Sequence, residues 1–362
     1  MSGMETRVLH VAPPVTPQSP AVQAGAALIR AGELVAFPTE TVYGLGANAL
    51  DAAAVAKIFT AKGRPIHDPL IVHIASPDQV HAVAERLPPL AYALIAACFP
   101  GALTLVLPRR QHVPPNVSAG LPTVGVRMPA HPVALTLIEA AGVPLAAPSA
   151  NLFAHTSPTT AAHVLADLGG RIPLILDGGA TDIGVESTIL DLSGEHPRLL
   201  RPGGVSLERI QAIVGDVKIE IVQRYAGGGD PMDSLPAPGM FLKHYAPHAP
   251  LSLYEGEDSA VRAALQQAVN GARAAGERIG LLILEEDRPA FAAWEGNPQI
   301  VIGSLGKGAS PDQAAARLYT LLRHFDAAEV TVIFARAMPP VGIGAAVQDR
   351  LMRAAAGRII RL

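Results

Sequence analysis

The sequence predicts an α/β protein with a larger first domain and a smaller second domain built on a parallel sheet. Its 362 residues exceed the size of one typical domain. Short apolar runs that fit buried strands alternate with segments that carry apolar residues at helical spacing. Residues 225–250 are too rich in Gly and Pro for regular structure and separate two such regions. We therefore predict domains at 1–222 and 251–362, joined by a linker at 223–250.

The composition indicates an ordinary globular protein. Of the residues, 49% are hydrophobic and 16% are charged, and the net charge of -3 disfavours non-specific nucleic-acid binding, which usually needs a basic face. The single cysteine, Cys98, excludes an internal disulfide and any multi-cysteine metal site. No run reaches the ~18 apolar residues of a membrane span, and the N-terminus lacks a signal-peptide pattern. We expect a cytoplasmic protein with no membrane partner and no stable nucleic-acid binding.

Apolar patterning, capping residues and Gly or Pro breaks predict the elements of the first domain. Strands are predicted at 6–11, 34–37, 70–74, 103–107, 123–127, 144–147, 174–177 and 187–192. Helices are predicted at 20–31, 51–62, 77–86, 89–98 and 206–214. One more helix is expected to begin at Ser157, whose hydroxyl can cap it. Residues 38–46, PTETVYGLG, are predicted to form a loop that can hold a polar ligand.

The segment at 56–74, AKIFTAKGRPIHDPLIVHI, is predicted to contain the end of a helix, a basic loop and a buried strand. Asp51 can cap the start of this helix, and Gly63 can end it in the left-handed conformation. Lys62 and Arg64 then lie where free backbone N–H groups also attract anions. Taken alone, two cations at a helix C-terminus are explained better by the helix dipole than by a ligand, and His73 alone fits a satisfied core imidazole better than a ligand.

Other strand and helix ends carry polar side chains. The strand that ends at Arg127 alternates so that Arg127 and Thr123 share one face, although an edge-strand arginine in water fits the same pattern. Ser149 and Asn151 follow the next strand, where α/β enzymes place ligand contacts. Arg201 precedes a Gly-rich turn and a helix N-terminus, which together favour an anion.

The linker and the second domain carry weaker functional signals. The linker contains Lys243, His244 and Tyr245, and we expect this part to pack back over the site. In the second domain, predicted strands at 251–254, 279–284, 299–302 and 330–334 alternate with helices at 259–275, 310–325 and 345–356. This order predicts a parallel α/β domain, but a fold alone does not define a function.

The candidate ligand contacts of the first domain are cationic or neutral. They are Lys62, Arg64, Arg127, Arg201, Thr41, Thr123, Ser149, Asn151 and Ser157. The sequence has no Walker lysine loop, no GxGxxG that opens a βαβ unit, no HExxH and no nucleophile elbow. This set suits a polyanion such as a triphosphate, bound without a covalent nucleophile. No motif selects metal ligands among the available carboxylates, which are Glu40, Asp177, Glu186 and Asp191.

An ordered set of motifs resembles one known family. PTETVYGLG, KGRP, PLIVH, PGALTLVL, VGVR, the SAN of APSAN, ESTILD and LRPG occur in this order. They resemble the YrdC-type L-threonylcarbamoyladenylate synthases, and PGMFLKHYAP with the terminal α/β domain resembles the longer, two-domain form. The resemblance covers nearly the whole chain. It implies a YrdC-like twisted mixed sheet with helices, followed by a smaller Rossmann-like parallel α/β domain.

The resemblance also implies an activity. Such a nucleotidyltransferase makes threonylcarbamoyl-AMP and pyrophosphate from L-threonine, bicarbonate or CO2, and ATP, with Mg2+ accompanying the ATP. The product would pass to the machinery that modifies adenosine in tRNAs that read codons beginning with A. The linker residues Lys243 to Tyr245 would close over the site and exclude water.

By position, the resemblance assigns roles to individual residues. Catalysis falls to Lys62, Arg64, Ser149 and Asn151, and ATP binding to Lys62, Arg64, Asp68, Thr123, Ser149, Asn151, Ser157 and Arg201. L-Threonine binding falls to Thr41, His73, Arg127 and Ala147, with Arg127 taking the carboxylate in a bidentate pair. Two residues depart from the family pattern. Asp68 stands where Asn is frequent, and Ala147, which stands where some members carry a hydroxyl, can contribute only its backbone.

Two other functions fit parts of the pattern. An RNA-binding module with a basic cleft would explain the cations, but the net charge of -3 and the 4% aromatic content disfavour this function. A carbamoyltransferase that uses carbamoyl phosphate, as in larger hydrogenase-maturation proteins with a similar domain, would carry cysteine-rich zinc modules. This chain has one cysteine.

Overall fold

The computed structural model describes residues 4–222, 238 and 245–362, and their contacts divide the chain into two units. The first unit contains residues 4–153, 157–222 and 238, and the second contains residues 154–156 and 245–362. Lys243 and His244, which were predicted to cover the site, lie outside the described residues. Of the described helices, none has both the length and the apolar character needed to cross a membrane.

The first unit is a mixed sheet with helices. Its strands in the described residues are β1 (Arg7–His10), β2 (Val35–Phe37), β3 (Gly44–Asn48), β4 (Ile71–His73), β5 (Leu103–Pro108), β6 (Thr123–Arg127), β7 (Leu145–Ala146), β8 (Leu174–Asp177), β9 (Thr188–Asp191), β10 (Arg198–Arg201) and β11 (Glu220–Ile221). Its helices there are α1 (Pro20–Arg30), α2 (Ala52–Lys62), α3 (Val80–Val83), α4 (Pro89–Cys98), α5 (Pro132–Ala141), α6 (Ala161–Leu168) and α7 (Leu207–Val214). The strand order is β1-β8-β2-β3-β7-β4-β6-β5-β9-β10-β11.

The sheet of the first unit is buried on both faces at β2, whereas the edge strands β1 and β11 are largely exposed. Along β2, Ala36 belongs to one hydrophobic core cluster, whereas Val35 and Phe37 belong to another. Since neighbouring side chains of a strand point to opposite faces, helices must cover both sides. Strand β6 lies between β4, to which it is parallel, and β5, to which it is antiparallel. Arg127 is therefore on an interior strand, and the edge-strand alternative is wrong.

Several element predictions for the first unit were wrong. Part of the predicted 38–46 loop is strand β3, because its Leu45 and Ala47 are buried and it pairs with β2 and β7. Helix α5 was not predicted. Helix α6 is capped by Thr160, whose hydroxyl accepts the His163 N–H, so Ser157 is not its cap.

The second unit is a parallel sheet with helices, as the sequence predicts. Its described strands are β12 (Leu251–Glu255), β13 (Ile279–Ile283), β14 (Ile300–Ser304), β15 (Val332–Arg336) and β16 (Ile359–Arg361). Its described helices are α8 (Asp258–Ala274), α9 (Arg288–Phe291), α10 (Pro311–Ala327) and α11 (Gly344–Ala355). The strand order is β14-β13-β15-β12-β16, and every pair is parallel. Strand β16 was not predicted.

Aromatic contacts stabilise the second unit. Trp294 packs against Phe291 with ring centroids 5.5 Å apart. Tyr245, the described member of the linker trio, is buried, with its ring centroid 5.0 Å from the Arg350 guanidinium and 5.9 Å from the Tyr319 ring. A cation over an aromatic face is attracted by the ring quadrupole. Tyr245 is therefore held within the second unit.

Candidate active site

Helix α2 and the turn after it determine where Lys62 and Arg64 lie. The Asp51 carboxylate accepts the N–H groups of Ala53 and Ala54 at 2.8 and 3.2 Å. The helix ends at Gly63, whose φ of 63° is left-handed and costs glycine least. The predicted cap and the predicted stop are both confirmed. Lys62 is thus the last helical residue, and Arg64 begins the loop.

Lys62 is buried and holds the segment that carries Ser149 and Asn151. Its Nζ donates to the Ser149 carbonyl at 2.6 Å and also to the Asn151 carbonyl. Burial, and then the charge of Arg64, hold the pKa of Lys62 well below its ordinary value. The structure therefore brings three of the four predicted catalytic residues into direct contact.

Arg64 and Asp68 form a buried ion pair. The Arg64 Nη2 lies 2.8 Å from the Asp68 Oδ2, and the same guanidinium donates to the carbonyls of Asp68 and Pro69. Both side chains are at most 4% exposed. The carboxylate that stands where the family often has an amide thus neutralises part of the charge that Arg64 could offer to a phosphate.

Arg127 is the centre of a second buried group. Its Nη2 donates to the Glu40 Oε1 at 2.6 Å, its Nη1 to the Thr41 hydroxyl at 2.9 Å, and its Nε to the Gly101 carbonyl at 3.1 Å. The other Glu40 oxygen accepts the Ala130 N–H at 3.0 Å. Glu40 was considered only as a metal ligand. A buried carboxylate needs a cation, but the burial of Glu40 is visible only in the structure, so the sequence carried no signal for this pair.

The hydroxyl of Thr41 has a fixed hydrogen-bond direction. Thr39 donates its hydroxyl proton to the Val42 carbonyl at 2.6 Å. The 2.8 Å bond between the Thr39 and Thr41 hydroxyls must then be donated by Thr41, which also accepts from Arg127. With its proton committed, Thr41 can offer a ligand only a lone pair.

His73 lies beside Arg127 in the sheet. The parallel register pairs the two residues across β4 and β6. Burial, and then the positive charge of Arg127, lower the pKa of His73 to about 3, so the imidazole is neutral. Its Nδ1 lies 3.3 Å from the Ile71 carbonyl, which assigns the proton to Nδ1. The Nε2 is therefore a hydrogen-bond acceptor.

Ser157 and Arg201 contact residues that were not predicted as ligand contacts. The Ser157 hydroxyl donates to the Glu186 carboxylate at 2.5 Å. Arg201 donates through Nη2 to the Ser187 carbonyl at 3.0 Å, and the Ser187 hydroxyl lies 2.8 Å from that of Thr104. Thr104 and Ser187 face each other on adjacent elements, and no local sequence signal distinguished them from ordinary strand residues.

Thr123 and Ala147 lie on the same part of the sheet. Thr123 borders a cavity of about 10 Å³ with Ile71, Thr104 and Ile189 among its lining residues, which is room for about one water. The N–H of Ala147 donates to the Ile71 carbonyl at 2.9 Å. Only the carbonyl of Ala147 can then serve a ligand.

Backbone hydrogen bonds connect the 38–43 loop to three other segments of the first unit. Ala150 donates to the Tyr43 carbonyl, and Tyr43 donates to the Pro158 carbonyl, at 2.8 and 2.9 Å. Gly184 donates to the Thr41 carbonyl at 3.1 Å, which ties the segment before Glu186 to the same loop. These three bonds bring the segments at Thr41–Tyr43, Ala150, Pro158 and Gly184 together in the first unit.

The described residues do not form a cage for a metal ion. They contain no group of three or more His, Cys, Asp or Glu side chains that could hold one. Arg127 and Ala130 engage Glu40, and Arg198 engages Asp191 at 2.5 Å. Asp177 accepts from the Gly179 N–H at 3.0 Å.

Comparison with known proteins covers both units. Residues 27–203 match the Sua5–YciO–YrdC family model, described as "Telomere recombination", and residues 205–356 match the model described as "Threonylcarbamoyl-AMP synthase, C-terminal domain". The chain is 46% identical to the threonylcarbamoyl-AMP synthase of Bacillus subtilis over 94% of this chain and 95% of that protein. It is 43% identical to the synthase of Pyrococcus abyssi over 94% and 96% of the two chains.

A solved structure supports the same assignment. The crystal structure of Pyrococcus abyssi Sua5 complexed with L-threonine matches with a TM-score of 0.90 and 42% identity. The match covers 98% of this chain and 99% of that one. The two family models, the full-length relatives and the fold agree. The chain therefore belongs to the two-domain Sua5 family of threonylcarbamoyl-AMP synthases.

Proposed function

We propose that this chain makes threonylcarbamoyl-AMP and pyrophosphate from L-threonine, bicarbonate or CO2, and ATP. The buried group around Arg127 carries the proposal. Its guanidinium keeps two N–H groups beyond the three that Glu40, Thr41 and Gly101 occupy, and these suffice for one carboxylate. The match to a relative crystallised with L-threonine supports the same ligand. His73 and Ala147 would supply further acceptors for the amino acid.

We assign ATP to the neighbouring cationic and hydroxyl groups. These are Lys62, Arg64, Asp68, Thr123, Ser149, Asn151, Ser157 and Arg201. Because Lys62 holds the carbonyls of Ser149 and Asn151, part of its role is to fix the segment that presents these two side chains. Mg2+ would accompany ATP as part of the substrate and counter the phosphate charge.

The chemistry follows from this arrangement. The bound ammonium of threonine first loses a proton, and the amine adds to CO2, which bicarbonate supplies by taking up a proton and losing water. The nitrogen then loses a second proton to give the carbamate. An oxygen of this carbamate attacks the α-phosphorus of ATP as pyrophosphate leaves. No protein nucleophile is required. The residues hold the two reactants in contact and offset the phosphate charge, and removing one such donor is expected to lower the rate by about 100-fold.

The remaining assignments concern the cellular context. We propose a cytoplasmic enzyme that passes its product to the machinery for tRNA threonylcarbamoylation, without a membrane or a stable nucleic-acid partner. We also propose the domain limits 1–222 and 251–362, with the 223–250 linker closing over the site. Full product yield from variants with alanine at Lys243 and His244 would contradict that closure.

The proposed activity is tested by pyrophosphate release from MgATP. Release should require both L-threonine and bicarbonate and should yield an adenylate that contains threonine. Arg127→Lys, which cannot form the same fork, should lose about 100-fold in rate. Arg110→Lys, in an exposed loop of the first unit, is the matched control and should keep the activity. Absence of threonine-dependent release from folded protein would reject the proposal, and release with carbamoyl phosphate instead would favour a carbamoyltransferase.

A further inference from the structure

We propose that Glu40 makes the amino-acid subsite specific for a zwitterion, so that the enzyme rejects hydroxy acids that carry the carboxylate but lack the amine. This inference rests on the proposed function, since it concerns the same L-threonine site. It adds a specificity residue that acts through the net charge of the subsite. The argument depends on three observations, which are the anchoring of Glu40, the donors left on Arg127, and the charges around them.

Glu40 is anchored at both carboxylate oxygens. One oxygen accepts from Arg127 at 2.6 Å, and the other accepts from the backbone of Ala130 at 3.0 Å. The side chain is 10% exposed and that of Arg127 is 5% exposed. Burying such a pair costs desolvation free energy, which hydrophobic residues of the same volume would avoid. Retaining charge here therefore needs a reason beyond packing.

Arg127 can bind one carboxylate and no more. A guanidinium has five N–H donors, and three are committed to Glu40, Thr41 and Gly101. The two that remain, one on each Nη, equal in number the two oxygens of one carboxylate. The committed bonds also fix the plane of the guanidinium, so the direction from which that carboxylate approaches is set before binding.

The charges around Arg127 cancel. Glu40 carries one negative charge and Arg127 one positive charge. His73 is neutral, and so is His131, whose Nδ1 accepts the Val133 N–H at 3.2 Å and whose pKa is lowered by burial. Asp182 acts on His131 but is exposed to solvent, which screens its charge. The subsite is therefore neutral overall, with separated positive and negative ends.

A ligand that carries one positive and one negative charge matches this subsite best. The carboxylate of an amino acid meets Arg127, while its ammonium can meet acceptors in the same group, which are Glu40, the Thr41 lone pair and the His73 Nε2. An acid without the amine brings a net negative charge to a neutral site, and like charge from Glu40 opposes it. The presence of Glu40 thus converts a carboxylate site into a site for a zwitterion.

The first test uses the wild-type protein and three ligands. These are L-threonine, 3-hydroxybutyrate, which is threonine without its amine, and L-threonine amide, which lacks the carboxylate charge. Competition in the pyrophosphate assay and calorimetric binding should show each singly charged analogue at least about tenfold weaker than L-threonine. Binding of 3-hydroxybutyrate as tight as that of L-threonine would overturn the inference. Failure of L-threonine itself to bind would instead reject the proposed function.

The second test is Glu40→Gln, which removes the charge at nearly constant shape. L-Threonine should bind at least about tenfold more weakly, whereas 3-hydroxybutyrate should bind more tightly than to the wild type, and the KM for ATP should stay within about threefold. Glu40→Asp keeps the charge and should retain the preference for L-threonine. Equal weakening of both ligands would indicate a purely structural role and would contradict the inference. If Glu40→Gln does not fold, tight binding of 3-hydroxybutyrate to the wild type would still overturn the inference.

Discussion

The neutral imidazole of His73 has a consequence for stability against acid. Its pKa is about 3 in the folded protein, below the ordinary value of 6.5. As pH falls below 6.5, the unfolded chain gains a proton at this residue that the folded protein does not. The free energy of unfolding therefore decreases between about pH 6.5 and pH 3. The limiting slope for one proton is about 1.4 kcal/mol per pH unit. His73→Asn should remove this slope, seen as a smaller drop in the urea midpoint between pH 7 and pH 5.

The matched control for this prediction is His112→Asn. His112 is exposed in the loop after β5, and its replacement should leave the pH dependence of the wild type unchanged. Equal acid sensitivity in the wild type and in His73→Asn would show that His73 does not carry the effect.

At the residue scale, some predicted residues do contact each other, such as Arg127 and Thr41, but their other partners were not predicted. Arg127 was expected to receive a substrate carboxylate, yet it also holds Glu40, which is 87 positions away in the chain. Lys62 was expected at the phosphates, and its Nζ is bonded to carbonyls 87 and 89 positions away. A sequence motif identifies the residue types at given positions, but not the residues that they contact. The partner of a buried charge depends on tertiary packing, which single-sequence patterns do not encode.

Elements with their own local signals were predicted well. Strand β6 and helix α4 have the predicted limits, since one alternates along its length and the other has Pro at its start and a Pro shortly after its end. Strand β3 was missed because Gly44 and Gly46 have poor strand propensity, so its formation depends on β2 and β7. The mixed order of the first sheet was expected only from the family resemblance, because β1 pairs with the distant β8.

The turn after β10 has no room for a side chain at Gly203. A Cβ there would lie 2.2 Å from the backbone of Ser187 and Thr188, and backbone atoms cannot swing aside as a side-chain tip can. Gly203→Ala should therefore lower the free energy of unfolding by about 1–3 kcal/mol or more. It should also separate Arg201 from the Ser187 carbonyl, which thermal melts combined with the KM for ATP would detect.

Gly271→Ala is the opposite case and serves as the control. Gly271 lies inside helix α8, and nothing stands within 4 Å of its added Cβ. The substitution should stabilise the protein by about 0.5–1 kcal/mol, because alanine favours the helix. Similar effects of both substitutions would contradict the packing argument at Gly203.

At the scale of the whole molecule, a single cysteine offers a test of ligand binding to the first unit. Cys98 is buried at the end of α4, and burial raises the pKa of its thiol. Alkylation should therefore require unfolding of its surroundings. MgATP and L-threonine, each at about 10 times its dissociation constant, should together stabilise the native form by about 2.8 kcal/mol and slow alkylation by about 100-fold. Mass spectrometry at moderate urea measures the rate.

The control for the alkylation experiment is the same reaction in concentrated urea, where the ligands should have no effect on the rate. Unchanged alkylation of the folded protein at saturating ligand would contradict binding to the native first unit.

The stacking of Trp294 on Phe291 gives the second unit an optical label of its own. The chain has one tryptophan, and it lies in that unit. Light emitted after excitation at the red edge of the indole band therefore originates from the second unit alone. The emission wavelength and the fluorescence anisotropy would report the unfolding of the second unit without any dye. Alkylation of Cys98 reports the unfolding of the first unit.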